Sequence, residues 1–292
     1  MVPAQAQPAR PFDPELIKSF LGGRDLASSQ LLSSRNNRSN YRFTDSDGKA
    51  YVLRLASEAQ IEKEKFVMRL VADFVPVPKW LEEGKDFLIL PFIQGEPLSQ
   101  CPENAYDVAV TLAAIASVHF DFPGQIKPAG NIAPWPFKGL RGFYDLMLNH
   151  KTVLDWIGKE RALRIEDMLI QYRPLLTEIG KDSQLVHGDF NPTNILIHEG
   201  KVSAVLDWEY AMSGSPYMDI GNLLRTLDES LCKDVYSGLV DGGLNPTAAW
   251  LERAKLFDMT SQMVFITRAV SDGFKQKCLA KIDEYLNFLD PE

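Results

Sequence analysis

The stretch LVHGDFNPTNILI, residues 185–197, and its continuation HEGKVSAVLDWEY, 198–210, decide the reading of this chain. NILI and VSAVLD have the apolar, β-branched composition of strands, and HEGK between them is turn chemistry. In an antiparallel hairpin the start of the first strand lies beside the end of the second. Asn194 starts the first and Asp207 ends the second, so a hairpin brings them together across 13 residues of sequence. Asp189 stands just before, in a loop that Pro192 keeps out of helix. Three oxygen-bearing side chains thus converge on one end of one hairpin.

Any one of the three alone is an ordinary turn former or cap. Together they are costly to gather, because carboxylates repel and a hard cation relieves the repulsion. One carboxylate and one amide oxygen suit Mg2+, which takes few protein ligands and completes its shell with water or phosphate oxygens. A second carboxylate, off the metal, can accept a proton from a hydroxyl. These are the parts that phosphoryl transfer uses.

Outward from this island the chain reads as α+β. Residues 1–12 are rich in Pro, Ala and Gln and are expected to be mobile. DPELIKSFLGG, 13–23, reads as a short helix with Asp13 as cap and Gly22 as stop. SNYRF and AYVLRLA flank TDSDGK, a hairpin turn. SEAQIEKEKFVMRLVADF, 57–74, is a helix capped by Ser57. KWLEEGKDFLILPF, 79–92, is a second hairpin. Residues 13–92 therefore make a small lobe of antiparallel sheet with a helix packed on it. The turn-rich 93–103 is a hinge, and 104–292 is a larger, mainly helical lobe around the island. Its helices are expected at about 103–120, 140–149, 159–179, 217–227, 229–240, 246–270 and 275–288.

Charge and composition exclude several classes. The chain is 45% hydrophobic and 24% charged, which is ordinary for a globular protein. Its net charge of −8 argues against nucleic acid as a partner. The charge is uneven, about +1 over residues 1–92 and about −9 over 93–292. An acidic second part attracts cationic small molecules. The 3 cysteines are far apart and lack metal-ligand spacing, which fits a cytoplasmic location. The longest apolar run, 108–120, is too short to span a bilayer, so no membrane association is expected. There is no Walker-type P-loop, G-x-G-x-x-G, H-E-x-x-H or G-x-S-x-G.

HGDFNPTN and VLDWEYA resemble the catalytic and metal motifs of the aminoglycoside phosphotransferase and choline kinase superfamily. H-G-D-x-x-x-x-N with D-x-E placed 18 residues after the Asp is a specific pattern. The resemblance implies a bilobal, protein-kinase-like fold and a small-molecule kinase using ATP or GTP with Mg2+. The acceptor would be a hydroxylated small molecule: an aminoglycoside or other antibiotic, or an amino alcohol. By position, Asp189 resembles the catalytic base and Asn194 and Asp207 the metal ligands. Glu209 matches a further acid near the metal. His187 resembles the histidine that braces the loop, and Asp219 in SGSPYMDIGNLLR the buried acid that holds the loop backbone. YVLRL would present Arg54 to the phosphates, and IEKEKFVM would supply Glu64 as its partner. RNNRSNYRF, 35–43, sits where a loop covers the phosphates, with Asn37, Arg38 and Ser39 as contacts. LILPFIQG matches the hinge, where the backbone of Pro91 to Ile93 would meet adenine. Pro91 has no N–H, so the donor would be Ile93.

Two departures stand out. Arg54 occupies a position that carries Lys in better-known members, and a guanidinium fork is not a point charge. The phosphate loop has no glycine. These departures keep open a second reading, a nucleotide-binding scaffold without turnover. A protein kinase is disfavoured, because the chain has H-G-D and D-W-E in place of H-R-D and D-F-G, and no A-P-E. The resemblance puts the acceptor site between the metal site and the C-terminal helices. Asp258, Asp272, Trp250 and Phe274 there are candidate residues for a cationic acceptor, through charge and cation–π contact.

Overall fold

The structure, a computed structural model, describes residues 9–35 and 37–290, with Arg35 described by its backbone alone. A short helix, α1 (Glu15–Leu21), precedes three long strands, β1 (Leu26–Arg35), β2 (Arg38–Asp45) and β3 (Ala50–Leu55). Helix α2 (Glu58–Val71) follows, then β4 (Glu82–Glu83) and β5 (Phe87–Pro91). These strands form one antiparallel sheet in the order β1-β2-β3-β5-β4. Ser57 and Gln60 close a capping box at the start of α2.

The two faces of this sheet pack on different things. Tyr51, Leu53 and Leu55 of β3 join Tyr41, Phe43 and Ile89 in a cluster covered by Ile17 and Leu21 of α1. The intervening Arg54 is directed to the opposite face, as strand alternation requires. Leu88 and Leu90 lie on that opposite face with Ile61, Val67 and Met68 of α2, in a core that runs on into the helices of the C-terminal part. Of the mobile segment expected over 1–12, residues 1–8 lie outside the described residues. The end of that segment is fastened. Arg10 donates to the Ala56 carbonyl at 2.7 Å, and Phe12 meets Tyr41 edge-on at 5.3 Å.

The C-terminal part is mostly helical. Strand β6 (Glu96–Pro97) leads into α3 (Ala105–Ala116). A small hairpin, β7 (Gly124–Ile126) and β8 (Ile132–Pro134), precedes α4 (Gly139–Leu148), α5 (Lys151–Gln171) and α6 (Arg173–Ile179). Gly158, at φ 74° and ψ 169°, kinks α5 just ahead of the helix expected over 159–179, and that span is divided at Tyr172, after which α6 starts at Arg173 with Pro174 in its first turn. Strand β9 (Gln184–Val186) leads to the hairpin of β10 (Ile195–His198) and β11 (Lys201–Val205), and β12 (Met212–Gly214) follows. Helices α7 (Tyr217–Leu224), α8 (Cys232–Asp241), α9 (Trp250–Thr267) and α10 (Asp272–Leu289) complete the chain. β10 is the middle strand of a three-stranded sheet, between β11 and β6. β9 and β12 pair within a four-stranded sheet. Among the described residues no helix is long and apolar enough to cross a membrane.

Candidate active site

The β10–β11 hairpin does what its sequence requires. Ile195 faces Val205 in register, and the Leu206 N–H donates to the Asn194 carbonyl at 2.8 Å. Asn194 and Asp207 therefore stand at the same end. Asp207 has φ 66° and ψ 57°, a left-handed conformation that Asp tolerates better than most residues. The Asn194 amide nitrogen donates to the Asp189 carbonyl at 2.9 Å and to its Oδ2 at 3.0 Å. Asn191 donates to Asp189 Oδ1 at 2.9 Å. The three residues singled out in the sequence are thus gathered in one place.

The loop that carries Asp189 is held from behind. Asp219, on the first turn of α7, accepts the N–H of His187 at 2.6 Å and of Gly188 at 2.8 Å. Burial pushes the Asp219 carboxyl up to about 7, against the pull of those two donors. His187 is fully buried, which lowers its pKa and keeps the ring neutral. Its Nδ1 accepts the Asp189 N–H at 3.2 Å, so the proton sits on Nε2, 2.8 Å from the Leu206 carbonyl. One ring thus ties the loop to the hairpin. Gly188 has φ 80°, and a Cβ there would lie 2.5 Å from the Tyr210 carbonyl oxygen. No other residue fits that approach.

The N-terminal sheet supplies the cations. Arg54 is buried at 6% exposure and uses its whole fork: Nη1 pairs with Glu64, Nε donates to Asn40 Oδ1 at 3.0 Å, and Nη2 reaches Asp207 Oδ1 at 2.8 Å. Burial lowers the Arg54 pKa, and the Asp207 charge opposes that. Arg38 extends one nitrogen, Nη2, to Asp207 Oδ2 and to Glu209 Oε1, both at 3.1 Å. Its Nη1 is buried without a partner, a condition that costs roughly 1–3 kcal/mol. Burial works against the charge on Asp207, but the Arg54 and Arg38 guanidinium groups outweigh it and lower its pKa. In Glu209 burial prevails over Arg38 and the pKa rises.

Among the described residues no group of three His, Cys, Asp or Glu is arranged to hold a metal. The residues placed to offer oxygen to a cation are one carboxylate, Asp207, and one amide, Asn194. That sparse oxygen set fits a magnesium ion that shares its shell with phosphate oxygens.

Several expectations need correction. RNNRSNYRF, expected where a loop covers the phosphates, is mostly strand, because β1 runs to Arg35 and β2 begins at Arg38. Between them Asn37 is exposed at φ 63°, and residue 36 lies outside the described residues. Ser39 is fully buried and its Oγ accepts the Arg10 N–H at 2.9 Å, so it is spent inside the fold. Pro91 ends β5 opposite Tyr51, Phe92 donates to the Ala50 carbonyl at 3.2 Å, and Ile93 follows half-buried. The acidic and aromatic wall is not formed as expected. Asp258 is fully buried and neutralised by Arg225, with Gln262 and Tyr285 also donating to it. Trp250 packs in the core against Tyr236. Asp272 is an exposed residue in the first turn of α10. Phe274 meets Phe265, whose face is already covered by Arg225 and Arg268. The protein's own cations occupy the Phe265 ring.

Three further residues belong to the site and were not singled out in the sequence. Asn40 lies opposite Arg54 in the β2–β3 register. Lys63, one residue before Glu64, donates to the Glu209 carbonyl at 2.6 Å, and burial lowers its pKa to about 8. Asn191 donates to Asp189 and accepts the Thr193 N–H at 3.0 Å, an Asx turn ahead of Asn194 that was the available signal.

Known proteins resemble this chain in sequence and in fold. The hygromycin-B 4-O-kinase of Escherichia coli is 28% identical over 225 residues, which is 71% of this chain and 64% of that protein. The chain thus spans under two thirds of the length of this curated relative. The crystal structure of a macrolide 2'-phosphotransferase from Brachybacterium faecium superposes with a TM-score of 0.67 at 16% identity, covering 92% of this chain and 98% of that one. A thermostable mutant of aminoglycoside phosphotransferase APH(4)-Ia, in ternary complex with ADP and hygromycin B, gives 0.61 at 20% identity, covering 94% and 97%. These two likenesses show the fold. The phosphotransferase enzyme family (APH) matches residues 29–256. That span includes Arg54, Glu64, Asp189, Asn194 and Asp207, and with it the chain belongs to the phosphotransferase enzyme family.

Proposed function

We propose that this protein is a small-molecule kinase that moves the γ-phosphoryl group of ATP, with Mg2+, to a hydroxyl of a small molecule. The observation that carries the reading is the meeting of Asp189, Asn194 and Asp207 at one end of the hairpin, under Arg54 and Arg38. Asp189 is the base: Asn191 and Asn194 fix its carboxylate, ready to orient an acceptor hydroxyl and take its proton. Asn194 and Asp207 would hold the magnesium ion, which when bound neutralises charge on the phosphates. Arg54, kept in place by Glu64 and Asn40, presents its Nη2 side to phosphate oxygens from beside Asp207, and Arg38 stands next to it. The backbone from Pro91 to Ile93 takes the adenine. His187 and Asp219 act through the loop backbone and keep the Asp189 carboxylate aimed. Most of the rate enhancement then comes from positioning and charge neutralisation.

The relatives' substrates, hygromycin B among them, make an antibiotic or another polyhydroxylated molecule the acceptor class. The competing reading, a nucleotide-binding scaffold, is favoured by one observation: both Asp207 oxygens are engaged by arginines. The test is an ADP-release assay over a panel of aminoglycosides, macrolides, sugars and amino alcohols, with Asp189→Asn and Asp207→Asn beside the parent. Acceptor-dependent ADP release that both variants lose supports the kinase. Stabilisation by Mg-ATP with no turnover on any acceptor supports the scaffold.

A further inference from the structure

The acids that would bind a cation are already bonded to arginines, and one arginine has a donor to spare. Arg38 holds Asp207 and Glu209 with the same nitrogen, Nη2, each at 3.1 Å. The residue is 6% exposed, and its Nη1 is buried with no partner. A guanidinium offers five N–H groups in a fixed fork that suits a phosphate by two parallel bonds. Here one side of the fork is shared between two carboxylates and the other is left over. That is a poor use of arginine for structure alone, and a good one for an arginine with a second, anionic partner.

We propose that Arg38 is an exchange cation that couples the cation site to the nucleotide. Paired with Asp207 and Glu209, it competes with a metal ion for the same carboxylate oxygens. When nucleotide phosphates enter, the fork transfers to them and satisfies Nη1, and the acids are released to hold the metal. Arg54 does not substitute for this, because Glu64 and Asn40 anchor two of its three nitrogens. Arg38 has no acid partner other than Asp207 and Glu209 among the described residues. The consequence is positive coupling: nucleotide raises affinity for the metal and metal raises affinity for nucleotide by the same factor. The inference rests on the reading of Asp207 as a metal ligand.

The test uses Mn2+ as the metal, read by the loss of its free electron-paramagnetic signal on binding, with and without ADP. The parent is expected to bind Mn2+ weakly alone and about tenfold or more tightly with ADP. Arg38→Gln is expected to bind Mn2+ alone about tenfold more tightly than the parent and to bind ADP alone about tenfold more weakly. The ratio between the two metal affinities then falls about tenfold or more, leaving the part that phosphate oxygens contribute to the metal's own shell. Arg38→Lys, which keeps the charge and loses the fork, should move both affinities in the same directions by a smaller factor, and it decides the matter if the Gln variant does not fold. Unchanged Mn2+ and ADP affinities in the folded variant overturn the proposal. Asp207→Asn separates the two layers. If it leaves Mn2+ binding with ADP intact, the metal-site reading and this inference fall together. If it abolishes binding while Arg38→Gln changes nothing, only the role of Arg38 falls.

Discussion

Arg54 and Glu64 form a buried ion pair between a strand and the helix that follows it, at 6% and 2% exposure. Breaking such a pair from one side leaves a charge without a partner, a loss of about 3–5 kcal/mol. Arg54→Met is therefore expected to lower unfolding free energy in urea by that amount. Arg54→Lys keeps the charge but reaches fewer of Glu64, Asn40 and Asp207. It should cost less stability and still raise the KM for ATP about tenfold, because a point charge replaces a fork.

Asp219 clamps two successive amides of the loop that carries Asp189. In Asp219→Asn one side-chain oxygen becomes an N–H donor facing another donor. The loss is expected to be about 1–3 kcal/mol. Hydrogen exchange at the His187 and Gly188 amides should speed up well beyond the change in neighbouring strands. Unchanged protection at those two amides would mean that the clamp is not what orders the loop.

Gly188→Ala tests the same loop from its backbone. The added Cβ meets the Tyr210 carbonyl at 2.5 Å and the φ of 80° is strained for alanine. A stability loss of about 1–3 kcal/mol is expected, with kcat falling more than KM rises, because Asp189 moves with the loop. Calorimetry and steady-state kinetics read the two effects separately.

Asp258 is expected to matter for stability and not for acceptor choice. It is fully buried, and Arg225, Gln262 and Tyr285 all point their donors at it. Asp258→Ala should destabilise by about 3–5 kcal/mol. Among folded molecules, the acceptor preference should be that of the parent. A variant that kept its stability and switched acceptor would restore Asp258 to the substrate site.

Asp45 gives the fold an acid-sensitive point. It is fully buried and accepts the N–H groups of Asp47 and Lys49, the Tyr51 hydroxyl and Arg24. Burial alone would raise its pKa, yet these donors and the Arg24 charge lower it. A carboxylate whose native pKa is depressed stabilises the fold above its unfolded value, near 3.9, and loses that contribution as pH falls through the native value. Melting temperature followed from pH 6 down to pH 2 should therefore fall more steeply for the parent than for Asp45→Asn. Parallel curves would remove Asp45 from the acid response.

The hairpin, the alternation that exposes Arg54 to the cleft and the helix bearing Glu64 were legible because each is set by local pattern. The periods of strand and helix act over a few residues, and so does turn chemistry. Asp258 was misread because α9 buries residues around much of its circumference, including Arg253, Thr260 and Gln262, so its polar residues do not mark a wet face. Arg38 was named for its place near the phosphates, but its bonds to Asp207 and Glu209 span about 170 residues and follow only from how sheet and hairpin pack. Ser39 shows the reverse. Its alternation with Arg38 is plain in the sequence, and its partner, Arg10, lies in a segment with no periodicity to read. The strand β6 is two residues long, below what any pattern reveals.

That short strand has a mechanical consequence. Glu96 and Pro97 pair with Ile197 and Leu196, on the same strand that begins just after Asn194. The peptide leaving the N-terminal sheet is thereby riveted to the hairpin that bears Asn194 and Asp207. The other strand of the hairpin carries a second tie, from the Val205 N–H to the Pro76 carbonyl at 2.8 Å in the segment after α2. Asn194 and Asp207 thus stand on an element fastened to the N-terminal part through both of its strands, which sets their spacing from Arg54 and Arg38.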